Sequence, residues 1–419
     1  MFNWLFTKTP LVFLIQPFWR DEAFSYIMAK RNLGEILFLA AKDFSPPLYY
    51  IVLKFWMNFF GSSEIALRSL SVIFYWATVY VGFLFLTDVF KMKLKKAFFY
   101  TFFIAINPLL IYYAFEARMY SMFAFFAALS FYSLHKKNSP LYLVSSILGL
   151  YTHYFMILVV ITQYLLTKYK QKIILLSFLP WMLFVLINKE FSVGSFWVKN
   201  SGIKSLVDFA GQIYTGYEPE LGFYSKSIFL FSLMLLSLVT IGYLRFKTKE
   251  FKFFFSWGIA IPFIVTVISF IKPIFLPRYL IFSSVGLMLL IIYIIEKLPS
   301  FFRYLVIVLL LIATLNYNQL QIKTRKKSDL KKAITEIKYL MKKNDVLYVT
   351  DELDFFTAQY YIGNLQNRVY IWGKTYEEIP AYVGKTLITR KKVIGSLPLH
   401  PNKAFILYPD GQYSIQAMY

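Results

Sequence analysis

The stretch "LYLVSSILGLYTHYFMILVVITQYLL" (141–166) contains no Asp, Glu, Lys or Arg, and basic clusters flank it, "HKKN" (135–138) and "KYKQK" (168–172). Whether it crosses a membrane once or twice sets the side of every later segment. One long tilted helix would fit the length, but it would turn every later Lys cluster to the opposite side. A hairpin keeps the clusters on one side and leaves each half about 13 residues, or ~20 Å at 1.5 Å per residue. The charge pattern favours the hairpin of short or partly inserted helices.

Apolar runs of this kind recur through the first three quarters of the chain. Of its 419 residues 58% are hydrophobic, 21% are aromatic and only 16% are charged, which is too apolar for a soluble domain. A bilayer core of roughly 30 Å takes about 20 apolar residues per helix, and only helices or closed barrels satisfy their backbone there. Period-2 alternation is missing, so the sequence predicts an α-helical polytopic membrane protein rather than a barrel.

The excess of 45 Lys+Arg over 22 Asp+Glu would suggest a nucleic-acid partner in a soluble chain. Here the basic residues gather between apolar runs, and loop charge of that kind sets membrane orientation; no nucleic acid is expected. The clusters "KMKLKK" (91–96), "HKKN", "KYKQK", "RFKTKEFK" (245–252) and "EKLPSFFR" (296–303) are expected in the cytoplasm. The turns "FEARMY" (115–120), "YTHY" (151–154), 189–225 and "IKPIFLPRYL" (271–280) are expected outside. Cysteine is absent, which excludes disulfides, thiolate chemistry and Cys-ligated metals. The N-terminal segment lacks the small-residue pattern of a cleavable signal.

Three further segments complete the expected organisation, of about eleven crossings. The first span, "PLVFLIQPFW" (10–19), is short, and Lys8 interrupts what precedes it. Residues 22–64 alternate apolar and charged positions at helical spacing around a Pro-Pro break, and read as two amphipathic helices in the outer interface. After about residue 318 a charged helix leads into β-like runs, namely the end of "NDVLYVT" (344–350), "RVYIW" (368–372), "KTLIT" (385–389), "KKVIG" (391–395) and "AFILYPDG" (404–411). Residues 1–317 thus form a membrane domain and 318–419 a small soluble α/β domain, expected on the external face of the cell membrane. Its basic start does not oppose this, because long translocated domains escape the loop-charge rule.

On this topology Asp21, Glu22, Asp43, Glu116, Arg118, Tyr120, His153, Tyr154, Lys272, Arg278 and Tyr279 share the outer helix ends. Ionisable groups gathered on one face of a membrane protein suggest a site. Each also has a plainer reading: Asp21 and Glu22 as solvation of a helix end, Arg278 as a snorkelling anchor, His153 as a structural residue. Glu116 and Arg118 are two apart and would not face each other on a helix. With three His and no Cys, a metal-dependent reaction has little support and no cofactor is expected. A carboxylate can serve as general base to an acceptor hydroxyl, and an Arg can hold a phosphate leaving group. That pairing suits glycosyl transfer from a lipid-phosphate sugar, the more so as no nucleotide-binding loop is visible. A transporter or flippase for a lipid-linked glycan would carry its ionisable groups near mid-span, where charges are scarce here. A membrane-anchored scaffold would leave the Asp-Glu and Arg-Tyr pairs unexplained.

The segments "WRDEAFS" (19–25), "DFSPPLYYIVLKFW" (43–56), "FGSSEIALRSLS" (60–71), "NPLLIYYAFEARMYSM" (107–122), "YTHYF" (151–155) and "FLPRYL" (275–280) follow an order and spacing that resembles the GT-C glycosyltransferases. The likeness is to family 39, the PMT-like mannosyltransferases and their aminoarabinose-transferase relatives, and covers residues 1 to about 300. It implies Asp21 as the catalytic base with Glu22 as its partner, and a Glu-x-Arg-x-Tyr stretch at Glu116, Arg118 and Tyr120. It also implies Arg278 and Tyr279 at the phosphate of a polyprenyl-linked, mannose-like donor, and an acceptor that is a protein, glycan or lipid. The interfacial helices belong to the same pattern. Relatives carry His or Lys before Pro-Pro-Leu where this chain has Ser45; the aminoarabinose transferases have an acidic zinc ligand just before it, where this chain has Phe44.

Overall fold

Asn107 shows how the sequence bends its membrane helices. Its side chain accepts the Leu110 N–H at 3.1 Å and so caps the helix Pro108–Ala114, while its amide donates to the Tyr214 carbonyl at 3.0 Å. Pro108 occupies the first helical turn, where a missing N–H costs nothing. The preceding helix, Leu94–Ala105, therefore stops, and the two axes meet at 68°. The computed structural model describes residues 2–167, 171–188, 198, 202–218 and 225–419.

The chain divides into two units, and the first comprises the described residues within Met1–Phe13, Arg68–Leu183 and Phe196–Arg325. Eleven crossings are expected; among the described residues five helices are long and apolar enough to span a membrane, or six if the bent pair counts as one. They are Glu64–Val89, Ser227–Arg245, Lys249–Ile268, Pro277–Glu296 and Ser300–Thr324. Several other apolar helices are shorter, Met156–Thr167 among them. The stretch 141–166 is two helices, Ser139–Thr152 and Met156–Thr167, parted at His153. The expected first span, 10–19, contains only the short helix Val12–Ile15 before Arg20–Ala29 begins, with Phe2–Lys8 ahead of it and a break at Thr9-Pro10 between the two. The expected loop 189–225 contains the helix Ser205–Thr215, which Gly216 ends in the left-handed conformation at φ 70°; the rest of that loop lies largely outside the described residues.

Pro277–Glu296 is the core of this unit: every residue from Ile281 to Ile295 is buried. Gly258 and Gly286 bring two backbones together there. A Cβ on Gly258 would lie 2.4 Å from the Leu287 nitrogen, the close approach that small residues permit between membrane helices. The Trp257 indole fills the space beside Gly286 and donates to the Phe282 carbonyl at 2.9 Å.

Four of the five Lys clusters converge at one end of this unit. Lys136 pairs with Asp88 at 3.2 Å, Lys96 with Glu296, and Thr248 shares a hydrogen bond with Tyr293 at 2.6 Å, while Lys297 lies over the Phe246 ring. The fifth, at 168–172, falls mostly outside the described residues. At the other end of Glu64–Val89, Ser71 holds the 116–118 turn by donating to the Glu116 carbonyl at 2.6 Å. Ser71 and Asp88 lie roughly 25 Å apart along that helix at 1.5 Å per residue.

The second unit comprises the described residues within Leu14–Leu67, Phe184–Ser195 and Lys326–Tyr419. The boundary near 318 therefore moves to 326, because Ser300–Thr324 continues as one helix. The segment 22–64, expected within the membrane domain, groups here with the C-terminal residues. The contacts are specific: Arg20 binds Asp351 and Asp354, each at 3.0 Å, Lys331 binds Glu64 at 2.7 Å, and Gly384, at φ 83°, abuts the Phe24 ring. Instead of two helices there are three, Arg20–Ala29, Leu33–Lys42 and Leu48–Phe60. Asn32 makes the extra break, since its side chain accepts from Glu35 N–H at 2.8 Å and the Glu35 carboxylate accepts from Asn32 N–H, a reciprocal cap that starts a new helix.

The C-terminal sheet has the order β3-β2-β1-β4-β5, with β1 Val346–Val349, β2 Val369–Trp372, β3 Val393–Ile394, β4 Ala404–Leu407 and β5 Tyr413–Gln416. All neighbours are parallel except β4 and β5. The run 385–389 is not a strand: Gly384 turns the chain into a short 3-10 segment there.

Candidate functional site

In the first unit the 116–118 turn, the His153 corner and the Pro277–Leu280 turn meet. Glu116 and Arg118 do not lie on a helix at all. They sit in the turn between Pro108–Ala114 and Tyr120–His135, so helical spacing does not govern which way they face. Arg118 lies over the Tyr120 ring at 5.7 Å, and Arg278 over the Tyr279 ring at 5.9 Å. The rings of Tyr120 and Tyr279 are 6.3 Å apart, and both face His153, at 6.2 and 5.3 Å.

His153 is buried, ends the helix Ser139–Thr152 and stacks on Phe123 at 4.6 Å. Its Nδ1 accepts the Phe155 N–H at 3.1 Å, which puts the imidazole proton on Nε2. Burial, and then the nearby Arg118 guanidinium, push its pKa down to about 3. His153 is therefore neutral near pH 7, a donor at Nε2 rather than a charge.

Sequence reasoning missed three members of this cluster. The Glu218 carboxylate lies 3.6 Å from Arg278 Nη1 and accepts from the Tyr113 hydroxyl at 3.4 Å. Arg325 covers the Tyr112 ring at 4.0 Å and donates to the Gly216 carbonyl. Tyr113 itself packs edge-on to Tyr120 at 4.8 Å. Arg325 sits within "KTRKK", which reads as the start of a soluble helix, and Glu218 lies about sixty residues from Arg278; neither has a local signal. The remaining expected residues of this unit lie elsewhere. Tyr154 accepts from Trp181 Nε1 at 3.3 Å, and Lys272 is exposed beyond the helix Ile261–Ile268.

In the second unit the two adjacent carboxylates have opposite environments. Asp21 is exposed and Glu22 is buried. Both stand in the first turn of Arg20–Ala29, where the helix dipole favours anions. Glu22 Oε2 accepts from Lys327 Nζ at 2.7 Å and from Trp19 N–H at 3.3 Å. Asp43 is buried directly after Leu33–Lys42, and Ser45 is buried too, while Phe44 points outward. With an exposed phenyl at the ligand position these residues do not fit a zinc ion. Among the described residues no three His, Asp or Glu side chains form a metal-binding group.

Long apolar helices around an arginine- and tyrosine-lined cluster define a multi-pass membrane protein. Its fold is that of ArnT from Cupriavidus metallidurans. The apo crystal structure of that protein matches with a TM-score of 0.63 over 95% of this chain and 90% of that one, at 14% identity. A second crystal structure, of ArnT bound to undecaprenyl phosphate, matches with a TM-score of 0.62 over 97% and 93%, at 13% identity. No family profile and no curated protein matches the sequence.

Proposed function

We propose that the chain is an inverting glycosyltransferase of the GT-C type, moving a mannose-like sugar from a polyprenyl-phosphate donor to an acceptor hydroxyl on the external face of the cell membrane. The observation that carries this reading is the likeness, across 97% of the chain, to ArnT holding undecaprenyl phosphate. The two carboxylates divide the labour by environment. Asp21, exposed, takes the proton of the acceptor hydroxyl; Glu22, buried and engaged by Lys327, orients it.

In the reaction the acceptor oxygen forms its bond to the anomeric carbon as the bond from that carbon to the phosphate oxygen breaks. The proton goes to Asp21, and the phosphate leaves with the electron pair. Arg278 over Tyr279, with Arg118 over the neighbouring Tyr120, stabilises the negative charge of that leaving group, where preorganised cations act most strongly. Attack and departure on opposite faces invert the anomeric centre.

Incubation of the purified protein with polyprenyl-phosphate sugars and candidate acceptors (a Ser/Thr peptide, a surface glycan, a lipid) tests this. Free polyprenyl phosphate appearing by mass spectrometry, only when acceptor is present, is the expected result. Its absence with every donor refutes the reading.

A further inference from the structure

We propose that Lys327, which no sequence motif marks, is a positioning residue for the transfer reaction, acting through Glu22 on Asp21; this rests on the function proposed above. The Lys327 and Glu22 side chains are each 2% exposed and their charged atoms are 2.7 Å apart. Burying such a pair brings little net stability, because desolvation of both ions offsets their attraction. What the pair does supply is geometry.

Glu22 Oε2 is held from two directions, by the Lys327 ammonium and by the Trp19 N–H. Those contacts fix residues 19–22, the first turn of the helix, and Ser25 adds a bond to the Asp21 carbonyl at 3.0 Å. Asp21 immediately precedes Glu22 in that turn and is the exposed one of the two. Its carboxylate has its direction set by a backbone that Lys327 anchors from 305 residues away. Glu22, with one oxygen doubly engaged in a buried setting, is poorly placed to accept a substrate proton itself. The arrangement thus separates a base from its support.

The test is steady-state turnover of K327M, K327R, E22Q and E22Q/K327M, with monodispersity and thermal unfolding checked in the same detergent. K327M strands a buried carboxylate, and displacing a catalytic group by about 1 Å costs on the order of 10²-fold in rate. The expected result is such a loss in kcat, with the donor KM little changed, and partial recovery in K327R. E22Q/K327M, with no stranded charge, is expected to match E22Q and to exceed K327M. A merely structural pair would lower the folded fraction and leave kcat per folded molecule alone. That outcome overturns the inference, as does a double variant whose loss is the product of the two single losses. If wild type transfers no sugar, the functional reading falls and this inference with it; if wild type transfers and K327M matches it, only this inference falls.

Discussion

Replacing Arg278 by Ala is the substitution whose consequence the structure lets one work through most fully. The guanidinium lies beside the Tyr279 ring and 3.6 Å from the Glu218 carboxylate, and its side chain is 18% exposed. A hydrogen bond to a charged group contributes about 1.5 to 3 kcal/mol, and 1.4 kcal/mol is tenfold in affinity. Arg278→Ala should therefore weaken polyprenyl-phosphate binding by roughly ten- to a hundredfold. Arg278→Lys should recover only part, since an ammonium lacks the planar fork. The Ala variant also removes a cation from beside Glu218, whose repulsion of a phosphate could mimic the loss of a ligand. Arg278→Ala/Glu218→Gln separates the two: the affinity should stay low if Arg278 itself holds the phosphate. Titration of the detergent-solubilised protein with polyprenyl phosphate by calorimetry gives the numbers. Wild-type affinity in Arg278→Ala, or full recovery in the double variant, would refute the assignment.

Arg20→Met should destabilise the protein near neutral pH by up to about 3 kcal/mol, as breaking a partly buried ion pair does. Burial raises the Asp354 pKa and Arg20 partly offsets that. A raised folded-state value means that the carboxyl favours folding in acid and loses that contribution as pH rises. Removing Arg20 raises the value further, so the gap to wild type in thermal unfolding should narrow from pH 8 to pH 5; a constant gap would disprove the mechanism. Gly258→Ala would place a methyl 2.4 Å from the Leu287 nitrogen, and overpacking of this kind costs about 1 to 3 kcal/mol. A melting temperature equal to wild type would show that the two helices are not in contact there. The chain has no Cys, so single cysteines at Lys93, Lys247 and Thr375 report sidedness cleanly. The first two should resist an impermeant reagent in intact cells and the third should react; the reverse pattern would invert the topology.

Much of the fold is legible because its signals are local. Lys clusters bound the apolar runs, and their convergence through Asp88–Lys136 and Lys96–Glu296 is what loop charge anticipates. The hairpin at His153 follows from the same pattern. Other features are local but easily overlooked. The break at Asn32 depends on a capping pair inside what reads as one amphipathic helix. Strand β5 is half exposed and pairs antiparallel with β4 across the turn at Gly411. The candidate site is legible where aromatic and basic residues sit together in one turn, as at Glu116–Tyr120 and Arg278-Tyr279. It is illegible where partners are far apart in sequence. Glu218 with Arg278, Arg325 with Tyr112 and Lys327 with Glu22 are joined only by tertiary packing. A single sequence read by period and motif holds no trace of such pairs.

Turnover of Asp21→Asn decides whether Asp21 is the general base of an inverting transfer. The amide keeps the shape of the carboxylate and removes its basicity. Because Asp21 is exposed, the variant should fold and insert as wild type does. Loss of a positioned base costs about 10²- to 10⁴-fold, so sugar transfer from the polyprenyl-phosphate donor should fall by that factor, with donor binding retained. NMR of the wild-type product should show the anomeric configuration opposite to the donor's. Transfer by Asp21→Asn at the wild-type rate, or a product that retains the donor's configuration, would rule out Asp21 as the base of a single inverting displacement.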